Sequence, residues 1–506
     1  MRFYLTTPIY YVNARPHLGN AYTSIAADIV VRYHKQLGDE TFFLTGVDEH
    51  ASKVWRAAEE QGLAPREYTD QLSVVWRDLP QRLNVEHDFF MRTSDDGHKQ
   101  FVRGFLQRIY DNGDIYEDVY AGWYCVGCEA FKTEAELVDG ACPDHPTRQI
   151  EWIEEKNYFF RLSAYAERLL RAYDEQRDFV LPQFRANEAR SFIAGGLQDF
   201  SVSRAGQPWG IPLPWDESQV AYVWADALIN YLSALSYARP GEDLVPVYWP
   251  AARHMLGKDI LRFHCVYWPA MLLAAGYELP RQLFVHGWLL LDEQKISKSS
   301  ANVIDPLELI DVYGADPLRF WCARAISFGQ DGNATLDGLH EPYERELGNE
   351  LGNLLSRTTA MVARYRDGHL ARPPSLEPPL DLAALGEDVG ARLERFDITG
   401  ALEEIWKGVR TLNNYVERSA PWQLAKDEAQ AGQLDAVLYN LVDGLAGIAI
   451  ALAPYLPETS PRILAALGQP GELEWGRIRA GTATETEAIT AAAPLFPRLD
   501  LPTAAA

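Results

Sequence analysis

The sequence contains no long uninterrupted apolar run. The longest, residues 445–456, falls short of the roughly 20 residues a bilayer-spanning helix needs, and Gly447 and Pro454 interrupt it. Met1-Arg2 is not followed by an apolar stretch of about 7–15 residues ending in small side chains, so no secretory leader is legible. Cysteine is scarce, and five in 506 residues do not make a disulfide framework. Positive charge is short as well, with 47 Lys and Arg against 71 Asp and Glu and a formal net charge of −24. A surface of that sign excludes general electrostatic attraction to nucleic acid, so any RNA contact has to be local and shaped. No internal repeat is found. These absences predict a soluble cytoplasmic protein with no membrane contact.

What the chain does have is 47% apolar residues, 12% of the chain being aromatic, enough for large cores. At about 150 residues per domain, the length suggests roughly three domains. Two distant stretches carry the chemistry. The first is Thr6-Thr7-Pro8-Ile9-Tyr10-Tyr11-Val12-Asn13-Ala14-Arg15-Pro16-His17-Leu18-Gly19-Asn20. It joins a β-rich run, residues 2–5, to an Ala-rich segment, residues 21–35, with apolar residues at helical spacing. Pro16 before the helix and Gly19 in its first turn fit an entry that phosphate approaches closely. Exposed N–H groups and the positive dipole end favour an anion there, beside His17 and Asn20. The second is Val285-His286-Gly287-Trp288-Leu289-Leu290-Leu291, a predicted buried strand, followed by Asp292-Glu293-Gln294-Lys295-Ile296-Ser297-Lys298-Ser299-Ser300. Two lysines and three small hydroxyl residues on a loop make a cationic clamp for a polyphosphate. Taken singly, the two stretches read equally as a plain helix start and a solvated loop.

Residues 1–115 alternate predicted strands at 2–7 and 41–44 with helices at 21–36 and 51–60, the rhythm of a parallel sheet with a nucleotide at its carboxyl ends. Thr45-Gly46-Val47-Asp48-Glu49-His50 is expected just past the second strand. Residues 116–220 form an insertion in which Cys125-x-x-Cys128 and Cys142-x-x-His145 have the spacing of a closed, structural zinc site within about 121–148. Residues 221–300 return to α/β. There Trp224, Ala227, Leu228 and Tyr231 share one predicted helical face, and Ile260, His264 and Trp268 share another. Such stripes suit a thioether as well as plain core. Gly257-Lys258-Asp259 opens a helix where Asp259 either meets ribose or serves as a cap. Residues 301–342 hold a helix-turn linker unit around Tyr313-Gly314-Ala315-Asp316-Pro317-Leu318-Arg319, residues 343–480 a helical bundle, and residues 481–506 an Ala/Thr/Pro-rich tail lying over the surface. In the bundle, Asn353 and Arg357 stand one turn apart, and Trp422 sits in a connecting loop as an RNA-stacking platform or a core side chain.

The two chemical stretches together resemble the His-Ile-Gly-His and Lys-Met-Ser-Lys-Ser signatures of class I aminoacyl-tRNA synthetases. With Asp48-Glu49-His50, the zinc knuckle, Trp209-Gly210-Ile211-Pro212, residues 224–231, Gly257-Lys258-Asp259-Ile260 and Leu351-Gly352-Asn353 with Arg357, nearly the whole chain resembles the bacterial methionyl-tRNA synthetases of single-zinc-knuckle type. The resemblance implies a Rossmann-like catalytic domain carrying a zinc insertion, followed by a helical anticodon-binding domain. It implies a ligase that uses Mg2+ and ATP to make methionyl-adenylate and passes methionine to the 3′ end of tRNA(Met). It gives His17, Asn20, Lys295 and Lys298 to catalysis, and Gly19, Gly257, Asp259 and Lys298 to ATP. It gives Ile9, Tyr11, Asp48, Trp224, Ala227, Leu228, Tyr231, Ile260, His264 and Trp268 to methionine, with Asp48 on the ammonium. Cys125, Cys128, Cys142 and His145 are its zinc ligands, and Asn353, Arg357 and Trp422 its readers of the anticodon.

Four positions depart from the family pattern: Asn20 stands where His is usual, Val47 for Thr, Ala51 for Gly, and Ile296 for Met. The chain ends after the helical bundle, without the C-terminal module that dimerises some relatives, which predicts a monomer. The alternatives are a duplicated synthetase with altered amino-acid or tRNA use, and a non-catalytic tRNA- or zinc-binding relative.

Overall fold

The computed structural model describes residues 1–499 apart from 126–129, 133, 144–149, 292–293, 296–304, 328, 376, 470, 482 and 484–487. At its centre is a parallel sheet. Arg2–Thr6 pairs with Glu40–Asp48 on one side and Ala252–Gly257 on the other. Gln282–His286 and then Val180–Leu181 extend the second side, while Phe89–Arg92 and Tyr10–Tyr11 add to Glu40–Asp48. Both faces are covered, so the strands are apolar almost throughout, with Tyr4, Leu5, Phe42, Phe43, Leu44, Phe284 and Val285 all buried.

The chain leaves Arg2–Thr6 through the helix Leu18–Gln36 to one neighbour, and its other neighbour arrives only much later, Thr6 and His254 being 248 positions apart. Strand order therefore reverses beside Arg2–Thr6, and a crevice opens there at the carboxyl ends of the strands. Thr7, Asp48, Gly257 and His286 all lie at that edge.

Two predicted strands have different limits. Glu40–Asp48 runs four residues beyond the expected 41–44, because Thr45, Gly46 and Val47 keep pairing with Phe90, Met91 and Arg92. Gly46 permits this, since a Cβ there would lie 2.3 Å from the Met91 carbonyl oxygen. The predicted strand over 285–291 is two strands in two sheets. Gln282–His286 belongs to the parallel sheet, whereas Leu289–Leu291 pairs with Gln294–Lys295 and Gly332–Ala334. Gly287 makes the change of sheet possible by packing directly on the Gln330-Asp331 backbone.

Among the described residues the insertion carries a four-stranded antiparallel sheet in which Ile115–Cys125 pairs with Ile150–Phe160 along its full length. Beyond the catalytic half, Pro306–Tyr313 and Ala315–Ala325 meet at Gly314, whose φ of 88° makes the turn. They lead into a bundle of Asn353–Arg366, Leu382–Leu393, Ile398–Ser419 and Ala431–Leu452. The last of these is apolar enough to cross a membrane by composition alone, yet 89% of its most apolar window is buried within the protein. The tail folds back on the bundle, where the Ile489 amide donates to the Gly368 carbonyl and the Tyr343 hydroxyl to the Pro497 carbonyl.

Candidate active site

The turn before Leu18–Gln36 is built as a capping box. His17 is the N-cap of Leu18–Gln36; its Nδ1 accepts from the Gly19 amide at 3.1 Å, and Asn20 Oδ1 accepts from the His17 amide at 3.0 Å. An accepting Nδ1 puts the His17 ring proton on Nε2. Asn20 completes the box through Oδ1 while its amide nitrogen remains a donor. Gly19 follows from the same geometry: a Cβ there would lie 3.0 Å from His17 Cε1.

This helix start and the strand before the lysine pair converge. Thr23, one turn beyond Gly19, is 3.0 Å from His286 Nε2, and Tyr22 meets the same imidazole edge-on at 5.1 Å. Burial pushes the His286 pKa down, and its Nδ1 donates to the Gly287 carbonyl at 2.7 Å. From the far side of the lysine segment, Asp305 pairs with Arg15 at 3.9 Å. Gly257 fits between Asp259 and His286, where a Cβ would stand 2.7 Å from Asp259 Oδ1. Lys258 pairs with Asp331 at 2.6 Å and lies 3.9 Å over the Trp288 ring, tying the Gly257-Lys258-Asp259 turn to the small sheet that carries Lys295. Only the backbone of Lys295 is described, and Lys298 lies outside the described residues.

Beside this cleft lies an aromatic chamber. Trp224 stacks on Phe263 at 3.9 Å and 9°, and meets Tyr11 and His264 edge-on. The Tyr231 hydroxyl donates to His264 Nε2 at 2.7 Å, and His264 Nδ1 donates to the Ile260 carbonyl at 3.0 Å. Burial brings His264 down to about 4, so it is neutral and accepts from Tyr231. Tyr231 stacks on His254, which takes a hydrogen bond from Trp268 Nε1 at 3.3 Å. Ala227 and Leu228 are buried, while Ile9 and Ile260 are half-buried at the edge of the same core.

The residues predicted on one continuous helix are carried by two short ones, Val223–Ala227 and Asn230–Tyr237. Asn230 Nδ2 takes the Ala227 carbonyl at 2.6 Å and replaces the missing backbone bond. Sequence reasoning missed Phe263 and His254. Phe263 begins a π-helical turn, Phe263–Tyr267, which shifts the register away from the 3.6-residue stripe. His254 lies on a strand and shows only as an alternation within an apolar run.

Two of the departures from the family pattern sit in ordinary local geometry, and Ile296 lies outside the described residues. Val47 points to the face opposite Asp48, into a small cluster with Val12 and Trp76. Ala51, the N-cap of Ser52–Glu60, has φ −64°, so no glycine is required there. Asp48 lies in register with Tyr11, and its charge, after burial, is among the causes that push the Tyr231 phenol up.

A family model for class I tRNA synthetases (M) matches residues 3–151 and 147–359. The methionine–tRNA ligase of Caldanaerobacter subterraneus is 43% identical, with 99% of this chain and 79% of that protein covered. That of Streptomyces coelicolor is 39% identical over 98% and 97%. The chain belongs to the methionine–tRNA ligases of class I. Among solved structures, Mycobacterium tuberculosis methionyl-tRNA synthetase in complex with methionyl-adenylate superposes with a TM-score of 0.93 at 38% identity, covering 98% of this chain and 100% of that one. The apo form of that enzyme gives 0.86 at 36% identity, covering 99% of both. The chain is thus an aminoacyl-tRNA ligase with a parallel α/β catalytic sheet and a helical C-terminal half.

Two groups of predicted residues lie away from the cleft. Cys125 ends the strand Ile115–Cys125 and Cys142 follows the Val138–Ala141 bridge, both fully buried thiols, while Cys128 and His145 lie outside the described residues. Among the described residues no three metal-binding side chains cluster. In the bundle, the Arg357 guanidinium is 6.0 Å from the Trp422 ring and donates to Glu417 at 2.7 Å, and Asn353 is one turn before it on Asn353–Arg366. Trp422 is half-buried in a short helix, Pro421–Leu424, rather than in the predicted loop, because Pro421 starts a turn that the Ala420 carbonyl closes.

Proposed function

We infer that this enzyme activates methionine with ATP to methionyl-adenylate and transfers the methionyl group to the 3′ end of tRNA(Met). The observation that carries the reading is the Thr23–His286 contact at 3.0 Å, which brings the helix start bearing His17 and Asn20 to the strand feeding Lys295 and Lys298. Methionine's carboxylate attacks the α-phosphate, a bond forms between carboxylate oxygen and phosphorus, and pyrophosphate leaves. No covalent enzyme intermediate is needed, so positioning and charge stabilisation do the work. His17 donates from Nε2 and Asn20 from its amide nitrogen to phosphate oxygens, and Lys295 and Lys298 neutralise the departing pyrophosphate. Mg2+ bound to ATP would supply charge screening of its phosphates. Gly19 and Gly257 let the nucleotide approach the backbone, and Asp259 accepts from ribose.

Asp48 takes the substrate ammonium. Ile9, Tyr11, Trp224, Ala227, Leu228, Tyr231, Ile260, His264 and Trp268 enclose the thioether, and sulfur against aromatic rings gains about 0.3–1.5 kcal/mol per contact. Cys125, Cys128, Cys142 and His145 would hold one structural zinc. The two buried thiols suit such a donor set, and the metal would fasten the tip of the insertion. Asn353, Arg357 and Trp422 read the anticodon. Division at 115, 220, 300, 342 and 480 follows this allocation of roles, with the insertion lending Val180–Leu181 to the catalytic sheet, and the chain acts as a cytoplasmic monomer.

Methionine-dependent ATP–pyrophosphate exchange with a panel of amino acids tests the reading. Exchange with methionine above all others supports it, and no exchange, or exchange with another amino acid, overturns it. Lys298→Ala should abolish exchange while methionine binding persists. Light scattering near 57.0 kDa is expected, and a mass twice that contradicts the monomer.

A further inference from the structure

Asp226 is fully buried, and each of its carboxylate oxygens is taken by a different imidazole. His50 Nδ1 donates to Oδ2 at 2.6 Å and His98 Nε2 to Oδ1 at 2.7 Å. Burial works against its ionisation, but His50 and then His98 outweigh it and hold the pKa down to about 2. The second nitrogen of His98 lies 2.6 Å from Ser233 Oγ. These groups come from four separate elements: the turn after Glu40–Asp48, the helix Asp96–Asp111, the helix Val223–Ala227 and the helix Asn230–Tyr237.

The same turn is fixed from other directions. The His50 amide donates to Asp48 Oδ1 at 3.3 Å, the Glu49 amide to Thr93 Oγ1 at 2.9 Å, and Arg92 to Glu49 Oε1 at 2.7 Å. Trp209 Nε1 donates to the Glu49 carbonyl, and its ring meets the His50 imidazole edge-on. Asp226 lies within two residues of Trp224 and next to Ala227 on one helix. A single buried carboxylate therefore connects the backbone that orients Asp48 to the helix that forms the wall of the thioether chamber.

We propose that Asp226, acting through His50 with His98 as a second anchor, is a positioning residue that holds the ammonium-binding carboxylate of Asp48 at a fixed distance from the Trp224 wall. The device measures the spacing between the α-ammonium and the side chain of the substrate, and so selects an amino acid over an amine-free thioether of the same length. It rests on the assignment of the substrate ammonium to Asp48.

The test compares binding of L-methioninol, which carries the ammonium and the thioether, with binding of its deaminated counterpart, methylthiobutanol, by calorimetry on the full chain. In the unaltered enzyme methioninol binds more tightly. Asp226→Asn and His50→Ala should each reduce that preference about tenfold while leaving the KM for ATP unchanged. His50→Asn, which restores a donor at the Nδ1 position, should recover most of it. Should Asp226→Asn fail to fold, His98→Gln against His98→Ala gives the same comparison at the second anchor. Equal loss of affinity for both ligands would reduce Asp226 to a structural role and overturn the proposal, as would an unchanged preference. If the unaltered enzyme shows no preference for the ammonium, it is the assignment of Asp48 that fails.

Discussion

Arg319 Nη2 and Asp28 Oδ2 meet at 2.6 Å, and neither side chain reaches solvent. Arg319 comes from the linker helix Ala315–Ala325 and Asp28 from the helix that His17 caps. The remaining guanidinium donors take the carbonyls of Leu83, Asn84, Pro454 and Tyr455. Three parts of the chain are thereby fastened at one buried cation: the helix Leu18–Gln36, the end of Pro65–Arg82, and the turn just past Ala431–Leu452.

Arg319→Met should cost about 3–5 kcal/mol, because it removes one of the two guanidinium groups on a buried carboxylate, which keeps Arg32 and the Glu86 amide, and leaves four carbonyls without that donor. Urea denaturation followed by circular dichroism checks it. Arg319→Lys, which keeps a cation on Asp28, should recover part of the loss, and a midpoint that does not move in Arg319→Met would contradict the assignment.

A Cβ at Gly287 would fall 2.0 Å from the Gln330 carbonyl oxygen, and no rotation relieves a clash with backbone. Gly287→Ala should push Leu289–Leu291, and with it the lysine segment, off the small sheet, at an overpacking cost of about 1–3 kcal/mol. The expected result is a fall in exchange kcat with methionine affinity retained, read from steady-state kinetics and calorimetry side by side.

Tyr231→Phe removes the hydroxyl that His264 Nε2 accepts. Leaving that nitrogen buried and unsatisfied costs about 1–3 kcal/mol. We expect the KM for methionine to rise by about tenfold, where each 1.4 kcal/mol is a factor of ten. The KM for ATP should stay constant.

Burial lowers the pKa of His254, His264 and His286, with His264 at about 4, so the folded protein binds fewer protons than the unfolded chain once the pH drops below the ordinary histidine value of about 6.5. Their contribution is complete above about pH 6.5 and is lost as the pH falls toward 4, at up to about 1.4 kcal/mol per pH unit for each group. Asp226 adds a second loss in the same direction, between its ordinary value of about 3.9 and its folded value of about 2. Urea midpoints measured from pH 7.5 down to 4.5 should fall, and His264→Gln should flatten the slope.

The parts legible in the sequence were those whose chemistry is local. The His17–Asn20 capping turn fits within one short segment, where the cap, the Gly and the Asn follow one another in the sequence. The aromatic stripes were legible as stripes, yet their register failed where the π turn at Phe263–Tyr267 and the break before Asn230 replaced the regular helix. The clamp at Asp226 was illegible for another reason. Its partners lie 176 and 128 positions away, and a buried Asp in an apolar run has no pattern until the imidazoles that bond to it are in view. The change of sheet at Gly287 likewise depends on the Gln330 backbone, which no periodicity in 285–291 reports.

Because Arg2–Thr6 is shared between Glu40–Asp48 and Ala252–Gly257, the nascent protein cannot finish its central sheet when the first half emerges from the ribosome. At about 5–20 residues per second, the bare edge of the first strand waits tens of seconds for its second partner. During translation that edge is open to pairing with other chains, and the interval is when this enzyme is most exposed to aggregation and most dependent on chaperones.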